Sequence, residues 1–259
     1  MKIQGRDCTL TVAKDGTFIP LPYSEETVRT ASKGYSLPCV IGGRNREKRI
    51  ETKKEITGCF VTPLESLNVS ALFLLLFYNN QTFDIFTDRV FEKKVYKNVL
   101  VKSFELRAVN GDAFKFRFDI RGTDNSFEDS WPVNLPDLNW TRNPTYHFNG
   151  HNVTADLKVL PLIYKFELTG DYTNDSKYQI TLYFPMSTEF YPANKKIDRL
   201  TIVLDEKDGV SLDLYDLEPL DDLCDINCAD TVLCFQKFNV SSIMVLNIRN
   251  QKELLEVVL

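Results

Sequence analysis

Two histidines, His147 and His151, are the only imidazoles in the chain, and Phe148-Asn149-Gly150 separates them. On a strand, an i, i+4 pair shares one face and offers two nitrogen ligands, or a base with its orienting partner. Gly150 turns the chain between them and no third ligand stands nearby, so both are expected as surface or turn residues. Cys224, Cys228 and Cys234 form a C-x3-C-x5-C array, which is not a zinc spacing and has no His beside it. The six cysteines are expected as reduced thiols, because MKIQGRDCTL holds no apolar secretory segment. Asp213, Asp216, Glu218, Asp221, Asp222 and Asp225 make an acidic string without the Gly and closing Glu of a calcium loop. Whether that string holds a cation stays open. No P-loop, no H-E-x-x-H and no G-x-S-x-G occurs. No catalytic residue, cofactor or metal is expected, and the chain is not read as an enzyme.

The elements that would position polar residues are mostly strands. Leu10-Thr11-Val12 alternates up to Asp15-Gly16, a strong hairpin signal, and Phe18–Leu21 follows. Residues 24–49 are polar and basic with no clear periodicity and read as a long loop. A strand over Ile50–Val61, a helix over Leu67–Tyr78 and a strand over Gln81–Thr87 come next. The clearest pattern is Val101–Val109 and Phe114–Ile120 around Asn110-Gly111-Asp112. Phe104, Leu106 and Ala108 share a face with Phe114, Phe116, Phe118 and Ile120. Glu105, Arg107, Lys115, Arg117 and Asp119 share the opposite, wet face. Residues 124–145 contain Pro132, Pro136, Pro144 and both tryptophans, and read as a linker. Strands return over Leu157–Thr169, Tyr178–Phe184, Leu200–Leu204, Val210–Tyr215 and Val232–Ile248. The longest apolar run, Ala71–Tyr78, is far short of the ~20 residues that span a membrane.

The halves echo each other. Lys102-Ser103-Phe104-Glu105-Leu106 is similar to Tyr164-Lys165-Phe166-Glu167-Leu168, and each is followed by an alternating strand, Phe114–Phe118 or Tyr178–Leu182. The expected fold is therefore mainly β: two small β-sandwich or barrel modules, 1–123 and 146–259, the first flanked by one helix. Charge is uneven. Residues 1–50 carry nine Lys/Arg against five Asp/Glu, residues 201–259 four against twelve, and the whole chain is −5. An acidic chain does not grip phosphate backbones, and opposite ends of opposite sign suit head-to-tail contact between copies.

The order of a strand, one helix, a strand and the Phe-rich hairpin VKSFELRAVNGDAFKFRFDIRG, after ETKKEITGCFVTPLE, resembles the tail tube proteins of long-tailed bacteriophages. The resemblance covers about the first half of the chain. It implies a structural virion protein, made in the host cytoplasm, that self-assembles into stacked rings and conducts DNA during ejection without binding it. With two modules per chain, it implies trimeric pseudo-sixfold rings; with one, hexameric rings with residues 146–259 projecting outward. Tape measure, terminator and distal tail proteins would be its partners, and no membrane span is implied. Glu105, Arg107, Lys115, Arg117, Asp119 and Glu167 would face the lumen, with Glu105, Asp119 and Glu167 making a negative wall. Arg29, Lys33, Arg44, Arg46 and Arg49 of the long loop would reach the adjacent ring. A distal tail or baseplate hub ring, or a non-viral β-sandwich binding module, is the alternative.

Overall fold

The computed structural model describes residues 9–36, 49–66, 68, 72–73, 75, 81–89, 92–123, 145–173, 177–185, 192–207, 209–220, 224–228, 231–247 and 252–257. The chain is mainly β: among the described residues, eighteen strands, all pairing antiparallel, form one hydrogen-bonded network. β1 (Thr9–Lys14) and β2 (Thr17–Leu21) meet at Asp15-Gly16, whose φ angles are 49° and 79°. That is the twist-matched two-residue turn that Asp-Gly favours. β6 (Phe83–Asp88) pairs with β1 and with the first part of β7 (Lys93–Val109), and the rest of β7 makes a hairpin with β8 (Lys115–Thr123).

The loop expected over 24–49 is corrected. β3 (Glu25–Glu26) and β4 (Arg29–Ser36) run along β5 (Arg49–Pro63), so only 37–48 could form such a loop, and those lie outside the described residues. An edge strand is held by backbone pairing and needs no apolar face of its own, so its sequence shows no alternation. Gly58, at φ 144°, lets β5 approach the break between β3 and β4; a Cβ there would lie 2.5 Å from the Thr27 carbonyl oxygen. Of the expected helix over Leu67–Tyr78, Leu72, Phe73 and Leu75 are helical and buried, and most of the remainder lies outside the described residues.

In the second half, β9 (Val153–Ala155) and β10 (Lys158–Val159) form a short hairpin, followed by β11 (Lys165–Asp171), β12 (Lys177–Pro185), β13 (Ile197–Asp205) and β14 (Val210–Pro219). β15 (Cys224–Cys228), β16 (Thr231–Val240), β17 (Ser242–Asn247) and β18 (Lys252–Val257) complete the chain. The single strand expected over Leu157–Thr169 is two, because Leu157 sits in a turn and 160–164 is irregular. The strand expected over Val232–Ile248 breaks at Ser241, between β16 and β17.

β7 joins the halves. On one side it pairs with β8; on the other, Ser103–Val109 pairs with β11 over seven residue pairs, from Asp171↔Ser103 to Lys165↔Val109. Leu106 stands opposite Leu168, the residue it matches in the sequence echo. Phe104 then faces Gly170 and Phe166 faces Ala108, so a local two-fold axis runs through the Leu106–Leu168 pair. The next strands match as well: Phe118 is opposite Phe104 and Leu182 is opposite Phe166. Outside them come β5 with Phe60 opposite Phe118, and β16 with Gln236 opposite Leu182. The sheet thus reads β4-β5-β8-β7-β11-β12-β16-β15. One apolar core lies beneath it and includes Phe60, Phe104, Phe116, Phe118, Phe166 and Phe238, from both halves. Phe148 seals the seam, 5.1 Å from the Phe166 ring and 5.7 Å from Phe114.

Candidate functional site

Alternation on a sheet puts every second side chain on the face away from the core. Across β8, β7 and β11 that face carries all six expected residues: Lys115, Arg117 and Asp119 on β8, Glu105 and Arg107 on β7, Glu167 on β11. They stand in cross-strand rows. Arg117 faces Glu105, which faces Thr169; Lys115 faces Arg107, which faces Glu167. Residues on β12 and β16 extend the rows through Gln179 to Asn239 and through Thr181 to Lys237.

The negative wall expected from Glu105, Asp119 and Glu167 is not what this face presents. Each carboxylate is matched by a cation two residues along its own strand: Glu105 with Arg107 at 3.7 Å, Asp119 with Arg117 at 3.2 Å, Glu167 with Lys165 at 2.6 Å. On β8, β7, β11, β12 and β16 seven cations (Arg107, Lys115, Arg117, Arg121, Lys165, Lys177, Lys237) stand against four carboxylates (Glu105, Asp119, Glu167, Asp171); Arg29, Glu25, Glu55 and Glu218 on the flanking strands share the face, which leaves eight cations against seven carboxylates among its described residues. The hydrogen bond that Arg117 donates to Asp119 raises the Arg117 pKa. Burial pushes the Glu167 carboxyl up, but hydrogen bonds from Lys165 and from the Tyr183 hydroxyl, at 2.9 Å, outweigh it and leave its pKa below the usual value. Tyr183, desolvated and donating to Glu167, is pushed up to about 12. Thr173 donates to Asp171 from its hydroxyl and its amide and lowers that carboxyl's pKa. Such a surface offers charges of alternating sign along neighbouring strands.

The other expected residues are scattered. Arg29 is exposed on β4, Lys33 and Arg49 lie in β4 and β5 with only their backbone described, and Arg44 and Arg46 lie outside the described residues. The acidic string is divided. Asp213 is buried on β14 and paired with Arg199 at 2.5 Å, so it offers no surface charge; Asp216 is exposed and pairs with Lys196 at 3.1 Å. Asp221 and Asp222 lie outside the described residues. No group of three His, Cys, Asp or Glu side chains suited to a metal ion occurs among the described residues. His147 and His151 are both exposed, the first beside Ala113 in an isolated bridge. Two part-buried polar links carried no sequence signal. Arg89 grips Glu26 with two hydrogen bonds of 2.8 and 2.9 Å and reaches the Val28 carbonyl, clasping the β3–β4 junction to the end of β6. Gln236 donates to Asn194 Oδ1 at 2.8 Å and accepts from the Asn194 N–H at 3.1 Å. No helix among the described residues is long and apolar enough to cross a membrane. Compared with known proteins, the sequence matches no family model and none of the curated proteins.

Proposed function

We propose that this chain is a structural virion protein that closes into rings and stacks them into a phage tail tube, with the charged sheet face lining the DNA conduit. The observation that carries the reading is the eight-strand order β4-β5-β8-β7-β11-β12-β16-β15: no described strand pairs with the far side of β4 or of β15. Open edges invite pairing with another chain, and a closed ring satisfies them all. β4 carries Arg29 and Lys33 and β15 carries Asp225, so the two edges differ in sign. Pairing β4 of one copy with β15 of the next closes a ring of three copies; the two-fold at the β7–β11 seam lies across the ring axis, so the ring is threefold and its halves are not related by a sixfold step. Arg29 and Lys33 then act between neighbours within a ring, instead of between rings. Strand-internal ion pairs suit a conduit wall, because cations already matched by carboxylates release few counterions to phosphate.

Negative-stain microscopy of the purified protein, with sedimentation velocity, tests this. Hollow rings of three chains, stacked or single, are expected, and single rings that never stack would make it a cap or hub. A monomer at every concentration, or rings of six chains with 146–259 projecting outward, would overturn the trimeric reading.

A further inference from the structure

Asn-Gly occurs twice in the chain, at Asn110-Gly111 and at Asn149-Gly150. In this dipeptide an asparagine side chain reacts most readily with its own backbone. The glycine nitrogen gives up its proton and bonds to the asparagine Cγ, the Cγ–Nδ2 bond breaks, and ammonia leaves. Water then opens the cyclic imide to aspartate or to isoaspartate, which carries an extra methylene in the backbone. Glycine favours the reaction because it has no Cβ to shield its nitrogen.

The fold has a use for glycine at both places. Gly111 turns the chain from β7 to β8 at φ 88°. Gly150 lies so near the Ile163 carbonyl that a Cβ would sit 2.0 Å from its oxygen. Both reactive dipeptides are therefore kept, and both asparagines are exposed to water. The two turns face each other, and each holds the nucleophile of the other. The Gly111 N–H donates to the carbonyl of Phe148, the neighbour of Asn149, at 2.9 Å. The Gly150 N–H donates to Asn110 Oδ1 at 2.9 Å. Further bonds fix each turn. Asn149 Oδ1 accepts the His151 N–H at 3.1 Å, and the Asn149 carbonyl accepts the Asn152 N–H at 2.9 Å. The Asn110 N–H donates to the Tyr164 carbonyl and the Asp112 N–H to the Val109 carbonyl, both at 2.8 Å. An amide proton held in such a bond must leave it before its nitrogen attacks.

We propose that Asn110 and Asn149 are a reciprocally guarded pair of deamidation sites, protected while the two turns are docked and reactive when they part. The guard is asymmetric. Closing the imide at Asn110 draws its Cγ onto the Gly111 nitrogen and takes Oδ1 away from Gly150, so modification at Asn110 releases the nucleophile of Asn149. The second event follows the first. An isoaspartate at 110 lengthens the backbone of a turn whose ends are fixed by the β7–β8 register, so the turns do not dock again. A transient opening becomes a permanent covalent mark. The pair lies within the single chain and needs no ring.

The test holds the full chain at mildly alkaline pH and follows each peptide by mass spectrometry, in which asparagine gains about 1 Da on becoming aspartate or isoaspartate. Both sites should react about tenfold more slowly in the folded chain than in denaturant. Asn110→Ala removes the acceptor of the Gly150 N–H and should speed Asn149 by about fivefold or more. Asn110→Asp keeps an acceptor oxygen there and should hold Asn149 near its parent rate. Gln236→Leu, which loosens a remote turn, should leave Asn149 slow. In the parent, chains modified at both sites should outnumber the product of the two single frequencies. Equal Asn149 rates in the folded and unfolded chain, or in Asn110→Ala and Asn110→Asp, would overturn the guarded pair. Gln236→Leu speeding Asn149 as much as Asn110→Ala would assign the protection to overall stability and overturn it too.

Discussion

The two sides of the β7–β11 seam have the same strand plan but fill equivalent places differently. Beside β8, Phe60 stacks on Phe118 with ring centres 5.2 Å apart. Beside β12, the equivalent residue is Gln236, also fully buried, and it holds the 192–195 turn through Asn194. At the seam itself, Phe166 stands over Ala108, whereas Phe104 lies so close over Gly170 that a Cβ there would come within 2.2 Å of its ring. The first half fills space with aromatic rings. The second trades part of that volume for polar links, which fix a turn in place at a smaller gain in burial.

The difference can be broken from either side. Phe60→Ala removes a ring from the shared core and should cost about 3–5 kcal/mol, the usual range for a buried Phe. For a chain of this size a chemical-denaturation midpoint would register it clearly. A loss under about 1 kcal/mol would mean that the first half does not depend on its aromatic stack.

Gly170→Ala should come next, at about 1–3 kcal/mol, because the ring of Phe104 must leave its place. Its two-fold counterpart, Ala108→Gly, has no clash to relieve and should cost about 0.5–1 kcal/mol. Adding Phe104→Leu should recover part of the Gly170→Ala loss, and a double-mutant cycle measures the coupling. Strict additivity would remove the steric account.

Gln236→Leu keeps the volume and drops two hydrogen bonds. About 1–3 kcal/mol should be lost, and hydrogen exchange at Asn194 should speed up, since its N–H loses the acceptor. Unchanged exchange there would show the turn to be held by other means.

The smallest effect is the pH response of the seam. The folded pKa of Glu167 lies below its unfolded value, so its contribution is present above about 4.5 and is lost as pH falls through the lowered folded value. The folded pKa of Tyr183 is raised from 10 to about 12, so its contribution is present below 10 and fades between 10 and about 12. Stability of the parent protein should sag at both ends; Glu167→Gln should remove the acid limb and only reduce the alkaline one, because burial is the first cause of the Tyr183 shift. An acid limb that persists in the variant would assign it to another group.

Local pattern made much of this legible. Alternation placed Glu105, Arg107, Lys115, Arg117 and Asp119 on one face, and the echo added Glu167. The Asp15-Gly16 turn was readable because glycine marks a positive φ; Asp156-Leu157 adopts the same turn without that mark, and Leu157 was read as the start of a strand. β4 was missed because an edge strand needs no apolar side. The sign of the charged face was misjudged because net chain charge says nothing about which residues share a face. The Arg89–Glu26 and Gln236–Asn194 links join residues 63 and 42 positions apart, a separation no local pattern spans.

The seam also makes the chain a candidate for splitting. A nick between 124 and 144 would separate two peptides whose seven paired residues at β7–β11 stay complementary. Alone, each piece would bare a strand that normally lies mid-sheet and should aggregate. Expressed together they should recombine into a heterodimer that co-purifies on a single tag, which makes residues 1–123 and 145–259 cognate fragments of one sheet.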